Sequence, residues 1–314
     1  MTLTELRYIL AVAREGHFGR AATACFVSQP TLSMGIRRLE DELNIKLFER
    51  STHEVRVTSQ GRAIVEQAQR VIEEADRITA IARHGQDPME GPLRIGAIFT
   101  IAPYLLPKLI PRLHQQAPGM PLLIQENFTA RLSEKLKRGE LDVIIIALPF
   151  AEPGIETLPL YDEPFSILLP QNHPWAGKKQ LSSDALAKLD LMLLGPGHCF
   201  RDQILQACPE CNQSSSDNAD LLQTLEGSSL ETIRLMVSSG IGATVLPCSA
   251  LIGREDANAV VLPFKEPAPK RRIALAWRKS FHRRAAIESV AHAIRDCPMP
   301  CISLLINEAS ANRE

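Results

Sequence analysis

The hydrophobic period changes at Gly91, and that change limits most strongly how this chain can fold. Before it, apolar residues recur three and four apart; after it, short apolar runs alternate with amphipathic stretches. One small core does not suit both patterns, and 314 residues are enough for two or three domains. Leu3, Leu6, Leu10 and Ala13 predict a first helix that Gly16 stops. An alanine-rich helix follows from about Phe18 to Cys25. A third helix has Ser28 as its N-cap, Pro30 in its first turn, and the apolar stripe Leu32, Ile36, Leu39 and Leu43. Thr31, Ser33, Met34, Arg37 and Arg38 fall on its other faces. Two helices joined by a tight turn, the second presenting hydroxyls and arginines, describe a helix-turn-helix. Leu47 to Arg50 and Val55 to Thr58 then flank a polar turn and read as a hairpin wing.

Charge argues weakly for a nucleic-acid partner. The whole chain carries −1, and residues 1–60 hold eight Lys and Arg against seven Asp and Glu. On charge alone, Arg37 and Arg38 are a solvated helix face. The helix-turn-helix geometry points the other way. Ser28, Gln29, Pro30, Thr31 and Ser33 sit at the helix N-terminus, where polar side chains suit base edges and phosphates, and Arg37 and Arg50 suit phosphates. From Ser59 to about Ala82 the pattern becomes one long helix with Ile64, Ala68, Val71, Ile72, Ala75 and Ile78 on one face, mostly at heptad spacing. Its 24 residues reach about 36 Å at ~1.5 Å each. Pairing with a second copy is the economical way to cover that stripe; packing onto its own domain is the alternative. A polar hinge, 84–88, ends it.

Beyond Gly91, Leu93 to Ile98, Leu122 to Gln125 and Val143 to Leu148 read as buried strands, with helices at Pro103 to Gln116 and Thr129 to Arg138 between them. This alternation predicts an α/β fold with a parallel sheet. A second series contains strands at Phe165 to Leu169, Leu191 to Leu194, Ile241 to Leu246 and Val260 to Leu262. Its helices are Ser183 to Leu189, Phe200 to Cys208 and Ser229 to Ser238. The strand Ile273 to Trp277 and a helix near Arg284 to Asp296 return to the first series.

The longest apolar runs fall short of the ~20 residues that span a bilayer, and Glu5, Arg7 and Arg14 interrupt any signal-like start. These features predict a reducing cytoplasm, where a persistent structural disulfide is not expected. Of the seven cysteines, Cys208 and Cys211 form a CxxC and Cys297 and Cys301 lie four apart. Neither pair has histidine support for a metal site, so no metal and no cofactor is expected. A thioredoxin-like enzyme would need its first cysteine to open a helix, whereas Cys208 ends one. Cys199 does open a helix, after the turn Gly195-Pro196-Gly197 and between His198 and Arg201. A helix N-terminus and nearby cations favour the thiolate, the form that attacks peroxide. Read locally, Cys199 is equally an inert cysteine under a loop.

The N-terminal run Ala21-Ala22, Val27-Ser28-Gln29-Pro30-Thr31-Leu32-Ser33, Ile36-Arg37-Arg38-Leu39-Glu40, Leu43, Leu47-Phe48-Glu49-Arg50, Thr58 and Gly61 resembles the LysR-type transcriptional regulators. The segment Gly197-His198-Cys199-Phe200-Arg201-Asp202-Gln203 with Cys208 resembles the hydrogen-peroxide-sensing members of that family. Leu93-Arg94-Ile95-Gly96, Thr100, Pro103-Tyr104-Leu105-Leu106-Pro107 and Ser229-Leu230-Glu231-Thr232 match the same pattern. The resemblance implies a winged helix-turn-helix over 1–58, a dimerising linker helix over 59–83 and a hinge at 84–91. It also implies a two-lobed, periplasmic-binding-protein-like effector domain, with lobe I at 92–161 and 267–300 and lobe II at 162–266. It implies a cytoplasmic, non-enzymatic regulator that binds double-stranded promoter DNA and RNA polymerase as a homodimer or homotetramer. Cys199 is then the peroxidatic residue and Cys208 the resolving one, with Thr100, Thr129, His198 and Arg272 around the peroxide. Cys211 is an additional thiol, so the resolving partner stays open between it and Cys208. The competing function on the same fold is gating by a small anionic metabolite held by the threonines and Arg272.

Overall fold

The computed structural model describes residues 1–50, 55–84, 87–209, 229–253 and 256–305, apart from the side chains of 50, 77 and 79–84. Its chain divides into an N-terminal unit, chiefly Met1–Pro88, and a second unit that begins at Met89.

Three helices and a wing build the first unit. Helix α1 (Leu3–Glu15) starts with a capping box, in which Thr2 and Glu5 each satisfy the other's backbone N–H, and ends on Gly16 at φ 59°, a conformation that costs a β-carbon. Helix α2 covers Phe18–Ala24 and α3 covers Gln29–Leu43, capped by the Ser28 hydroxyl on the Thr31 N–H. Leu32, Ile36 and Leu39 are fully buried with Ile9 and Val12 of α1. Gly35 permits that crossing, because a β-carbon there would lie 2.9 Å from the Tyr8 ring. Strands β1 (Phe48–Arg50) and β2 (Val55–Val57) pair antiparallel with Phe48 opposite Val57; the turn expected between them lies outside the described residues. Buried Glu40 ties α3 to this wing by accepting from the Leu47 N–H at 2.8 Å.

Helix α4 spans Ser59–His84. Ala68 and Ile72 are buried in the core of their own unit, with Ile64 and Val71 packed against it, while Ile78 is 71% exposed. The first part of the heptad stripe therefore covers its own winged helix, the alternative raised by the sequence. A heptad specifies a buried face but not what buries it.

The second unit is built on a nine-stranded sheet. Strand β3 (Leu93–Ile98) runs parallel to β4 (Leu122–Asn127) and β5 (Val143–Leu148), with α5 (Ala102–Gln116) and α6 (Thr129–Lys137) as the crossovers. Strand β6 (Ile155–Pro170) is sixteen residues long. After it come β7 (Leu191–Met192), α7 (Cys199–Ala207), α8 (Leu230–Ser238), β8 (Ala243–Pro247), β9 (Ala259–Pro263), β10 (Lys270–Arg278), α9 (Arg284–Arg295) and β11 (Ser303–Leu304). Through Pro164, β6 pairs with β10; from Phe165 it pairs with β8 and β9, so one strand carries the chain from the first half of the sheet to the second.

Two expectations are corrected. The sheet is mixed, since β10 runs antiparallel to both β5 and β6. An apolar run reports burial on both faces and carries no strand direction. The described residues also contain a disulfide, Cys248–Cys301, between positions 53 residues apart whose Cα atoms lie 6.2 Å from each other. No motif announces a pair at that separation; the fold brings it together. Among the described residues, no helix is long and apolar enough to cross a membrane.

Candidate functional site

Three chain segments converge beside α7. Each presents an aromatic ring followed by one of the residues picked from the sequence: Phe99 before Thr100 after β3, Phe128 before Thr129 at the start of α6, and His198 before Cys199 at the start of α7. The three rings pack on one another, with centroids 5.3 Å apart for Phe99–Phe128, 4.7 Å for Phe128–His198 and 6.0 Å for Phe99–His198. This cluster fixes where the next residue of each segment emerges. Thr100, Thr129, His198 and Cys199 are thus brought to one place from positions up to a hundred residues apart.

Cys199 is a free, half-buried cysteine and the first residue of α7. Its position in the first turn sets the thiol among the backbone N–H groups that have no intrahelical acceptor. The buried His198 imidazole has its pKa lowered by desolvation, which favours the neutral ring over a cation. Arg201 donates to the Leu194 carbonyl at 3.0 Å and so braces the turn that delivers Cys199. Cys25 and Cys297 are also free, but burial pushes both thiols up, away from the reactive thiolate; Cys297 donates to the Ala293 carbonyl.

Two side-chain oxygens near this cluster, Thr129 Oγ1 and Gln203 Oε1, are buried and make no hydrogen bond among the described residues. Such groups are rare, and a small polar molecule able to donate protons would satisfy them. Gln203 lies one turn along α7 from Cys199, and its Nε2 donates to the Leu148 carbonyl at 3.3 Å, which orients the amide. In the sequence, Gln203 stands out only as the end of the segment from Gly197 that carries the family resemblance.

Arg271 and Arg272 take opposite faces of β10, and it is Arg271 that reaches Thr100. Arg272 points outward and makes a two-pronged ion pair with Asp162, at 2.7 and 3.0 Å. Arg271 points inward and is fully buried. It donates to Glu163 at 2.7 Å, to the Thr100 hydroxyl at 2.9 Å and to the Thr100 carbonyl at 2.9 Å, and its guanidinium lies 5.1 Å from the Phe200 ring. Side chains alternate along β10, so adjacent arginines face opposite sides, and the inward one could not be identified until the register was known.

Cys208 caps the other end of α7, buried in the core of the second half of the sheet with Phe200 and Ile204. Nine helical steps put its Cα about 13 Å from that of Cys199. Cys208 is disulfide-bonded and Cys211 lies outside the described residues, as does the polar loop after it. Among the described residues, no group of three or more His, Cys, Asp or Glu could hold a metal.

In the first unit, Ser28, Gln29, Pro30, Thr31 and Arg37 are exposed at and along α3, and Ser33 is half-buried. Arg38 is taken up by the buried Glu5, donating at 2.6 Å; burial would raise the Glu5 pKa, but the bonds from Arg38 and Thr2 hold it below the usual carboxylate value. Phe26, which no pattern in the sequence marks, sits in the turn between α2 and α3 at φ 56° and is 96% exposed. Arg50 closes β1, and its side chain is outside those described.

Two family models match the chain in order: the bacterial regulatory helix-turn-helix protein, lysR family, over residues 3–62, and the LysR substrate binding domain over residues 86–297. The DNA-binding transcriptional dual regulator OxyR of Escherichia coli (strain K12) is 40% identical over 296 residues, covering 94% of this chain and 95% of that protein. The full-length OxyR of Pseudomonas aeruginosa, solved as a cysteine-to-aspartate variant, is 51% identical with a TM-score of 0.78 and covers 98% of this chain and 99% of that one. A cysteine-to-serine variant of Corynebacterium glutamicum OxyR, solved with H2O2 bound, is 34% identical with a TM-score of 0.61 over 94% of this chain and 91% of that one. With both models matched in sequence order and relatives aligned over nearly the full length, this chain belongs to the LysR family of bacterial helix-turn-helix regulators.

Proposed function

We propose that this protein is a DNA-binding transcriptional regulator that senses hydrogen peroxide by oxidation of Cys199. The observation that carries the reading is the free cysteine at the start of α7, set beside two buried oxygens, Thr129 Oγ1 and Gln203 Oε1, that lack partners among the described residues. Hydrogen peroxide has two O–H groups to donate and two oxygens to accept, so it suits acceptors of this kind. The relatives named hydrogen peroxide-inducible genes activators support the same ligand.

The chemistry runs in two steps. The Cys199 thiolate attacks one peroxide oxygen, the O–O bond breaks, and the other oxygen leaves as hydroxide, which takes a proton to become water. Thr100, held by Arg271, and Thr129 orient the peroxide and stabilise the departing oxygen. The sulfenic acid then condenses with the Cys208 thiol to give a disulfide and a second water. Cys208 enters that step only as a thiol, so its present disulfide must first be reduced. A disulfide tolerates Cα separations of ~4.4–6.8 Å, and α7 holds its ends about 13 Å apart, so the helix must unwind to close the bond. Each sulfur reacts once per signal, which makes the protein a sensor and not an enzyme.

The DNA-facing set is Ser28, Gln29, Pro30, Thr31, Ser33, Arg37 and Arg50, on a winged helix-turn-helix at 1–58. The linker helix takes 59–83 and the hinge 84–91; effector lobe I takes 92–161 and 267–300, and lobe II takes 162–266. Exposed Ile78 on α4 and Leu123 on the edge strand β4 support assembly with further copies of this chain, as a homodimer or homotetramer. RNA polymerase as partner and the cytoplasm as location complete the reading. The metabolite-gated alternative loses its anion-binding arginine, since Arg272 is engaged by Asp162 and Arg271 by Glu163.

The deciding experiment is a peroxide titration of the full-length protein, followed by differential alkylation and peptide mapping. Cys199 is expected to lose its alkylation before any other free cysteine, and a Cys199→Ser variant is expected to keep DNA binding while losing its response to peroxide. Retained alkylation of Cys199 alongside an altered operator complex would overturn the assignment.

A further inference from the structure

The Cys248–Cys301 disulfide lies behind the sensing site, not in it. Cys248 follows β8 and opens a single helical turn, and its neighbour Ser249 donates its N–H to Glu163 Oε1 at 3.1 Å. The other oxygen of that carboxylate holds Arg271 at 2.7 Å, and Arg271 in turn holds both the hydroxyl and the carbonyl of Thr100. Cys301 stands two residues before β11, which pairs antiparallel with Asp162 and Tyr161 of β6, and the Leu305 N–H donates to the Leu160 carbonyl at 2.9 Å. The stretch Leu160–Glu163 pairs with β10 along one edge and is gripped twice more, by β11 along the other edge and by Ser249 at the Glu163 side chain. The disulfide joins the two grips. A strand two residues long has little pairing energy of its own, so a covalent tie beside it decides how firmly it stays.

We propose that Cys248 and Cys301 form a second thiol–disulfide couple, separate from Cys199, whose closed form clamps β11 onto β6 and stiffens the Glu163–Arg271–Thr100 brace. Cys301 is half-buried and Cys248 is 7% exposed, so Cys301 is the sulfur that reagents reach. To open the couple, a dithiol reductant attacks the Cys301 sulfur and breaks the S–S bond, leaving Cys248 as the thiolate. The second thiol of the reductant then releases Cys301, and the reductant carries away the disulfide. To close it, the Cys301 thiolate attacks hydrogen peroxide, the O–O bond breaks, and water and a sulfenic acid result. The Cys248 sulfur displaces the oxygen as a second water. Two electrons pass from the two sulfurs to the peroxide.

The brace on Thr100 bears on Cys199 only under the peroxide-sensing reading above; the couple and its clamp do not rest on it. The test therefore uses the full-length wild type, Cys199→Ser and Cys301→Ser, with peroxide and dithiothreitol as probes. After peroxide, peptide mapping is expected to show the 248–301 link in the wild type and in Cys199→Ser alike, and dithiothreitol is expected to open it in both. Opening it by reduction or by Cys301→Ser is expected to raise amide hydrogen exchange at Tyr161–Glu163 and Ser303–Leu304 by about tenfold. Alkylation of both Cys248 and Cys301 in the peroxide-treated protein, or equal exchange in the closed and open forms, would overturn the proposal. Loss of the Cys199 oxidation signal with the 248–301 link still forming sinks the sensing reading and leaves the clamp standing.

Discussion

Arg271 and Arg272 are adjacent in sequence and identical in chemistry, yet the fold gives them opposite tasks. Arg271 is fully buried against Glu163, so removing it strands a carboxylate without its charge partner. Breaking such a pair costs ~3–5 kcal/mol, and Arg271→Ala is expected to show a loss of that order in urea unfolding, together with a slower reaction at Cys199 as Thr100 loses its brace. Arg272 is 46% exposed, and replacing it by alanine is expected to cost about 0–1 kcal/mol at neutral pH. Its effect depends on pH. The Arg272 and Lys270 hydrogen bonds pull the Asp162 pKa down from 3.8 to about 2, so the ionised pair stabilises the fold above 3.8 and loses that role as pH falls toward 2. The gap between wild type and Arg272→Ala is therefore expected to be full above 3.8 and to close below 2, as read by unfolding at several pH values. The residue types at this site were legible in the sequence, as the Lys270-Arg271-Arg272 run shows. Which arginine faced inward was not, because a strand's phase is set by pairing with β5 and β6 and not by composition.

At the scale of elements, α7 is the part that must change. Its nine residues join a reactive cysteine at one end to a core cysteine at the other, and the straight helix keeps those ends too far apart for a bond. Hydrogen exchange in the reduced protein is expected to show protection from Gln203 to Ala207, falling by about tenfold or more once the Cys199–Cys208 disulfide has formed. Undiminished protection in protein shown by mapping to carry that link would contradict the unwinding. Helix α4 makes a second distinction. Ile72 is buried in the winged-helix core, and Ile72→Glu is expected to cost ~3 kcal/mol or more, because a charge there is desolvated without a partner. Ile78→Glu is expected to leave thermal unfolding within about 0.5 kcal/mol while lowering the assembly mass in light scattering. The heptad made this stripe visible. Only the packing of α1 on α4 divides it into a part used within the unit and a part that remains exposed.

Across the whole molecule, sensing and DNA recognition lie on separate units. Cys199, Thr100, Thr129 and Arg271 all belong to the second, and every exposed side chain of α3 belongs to the first. Arg37→Ala is expected to weaken operator binding, with the slope of log affinity against log salt smaller by about one for the lost phosphate contact. The same variant is expected to leave the rate of Cys199 oxidation unchanged. A rate that falls in parallel with affinity would show that the two units do not act independently in this respect.

The sequence alone determined the winged helix-turn-helix, because its signals are local: the Ser28 cap, the Gly16 stop and the stripe through Leu32, Ile36 and Leu39 each act within a turn or two of helix. It likewise marked Cys199 as the head of α7, since a glycine-proline turn followed by an amphipathic run needs no distant partner. Only the tertiary structure decided the antiparallel course of β10, the inward face of Arg271, the unpartnered oxygens of Thr129 and Gln203, and the meeting of Cys248 with Cys301. Each of these depends on which segments lie side by side in space. That adjacency is set by the burial of the whole sheet, a sum over many contacts that no short stretch of sequence records.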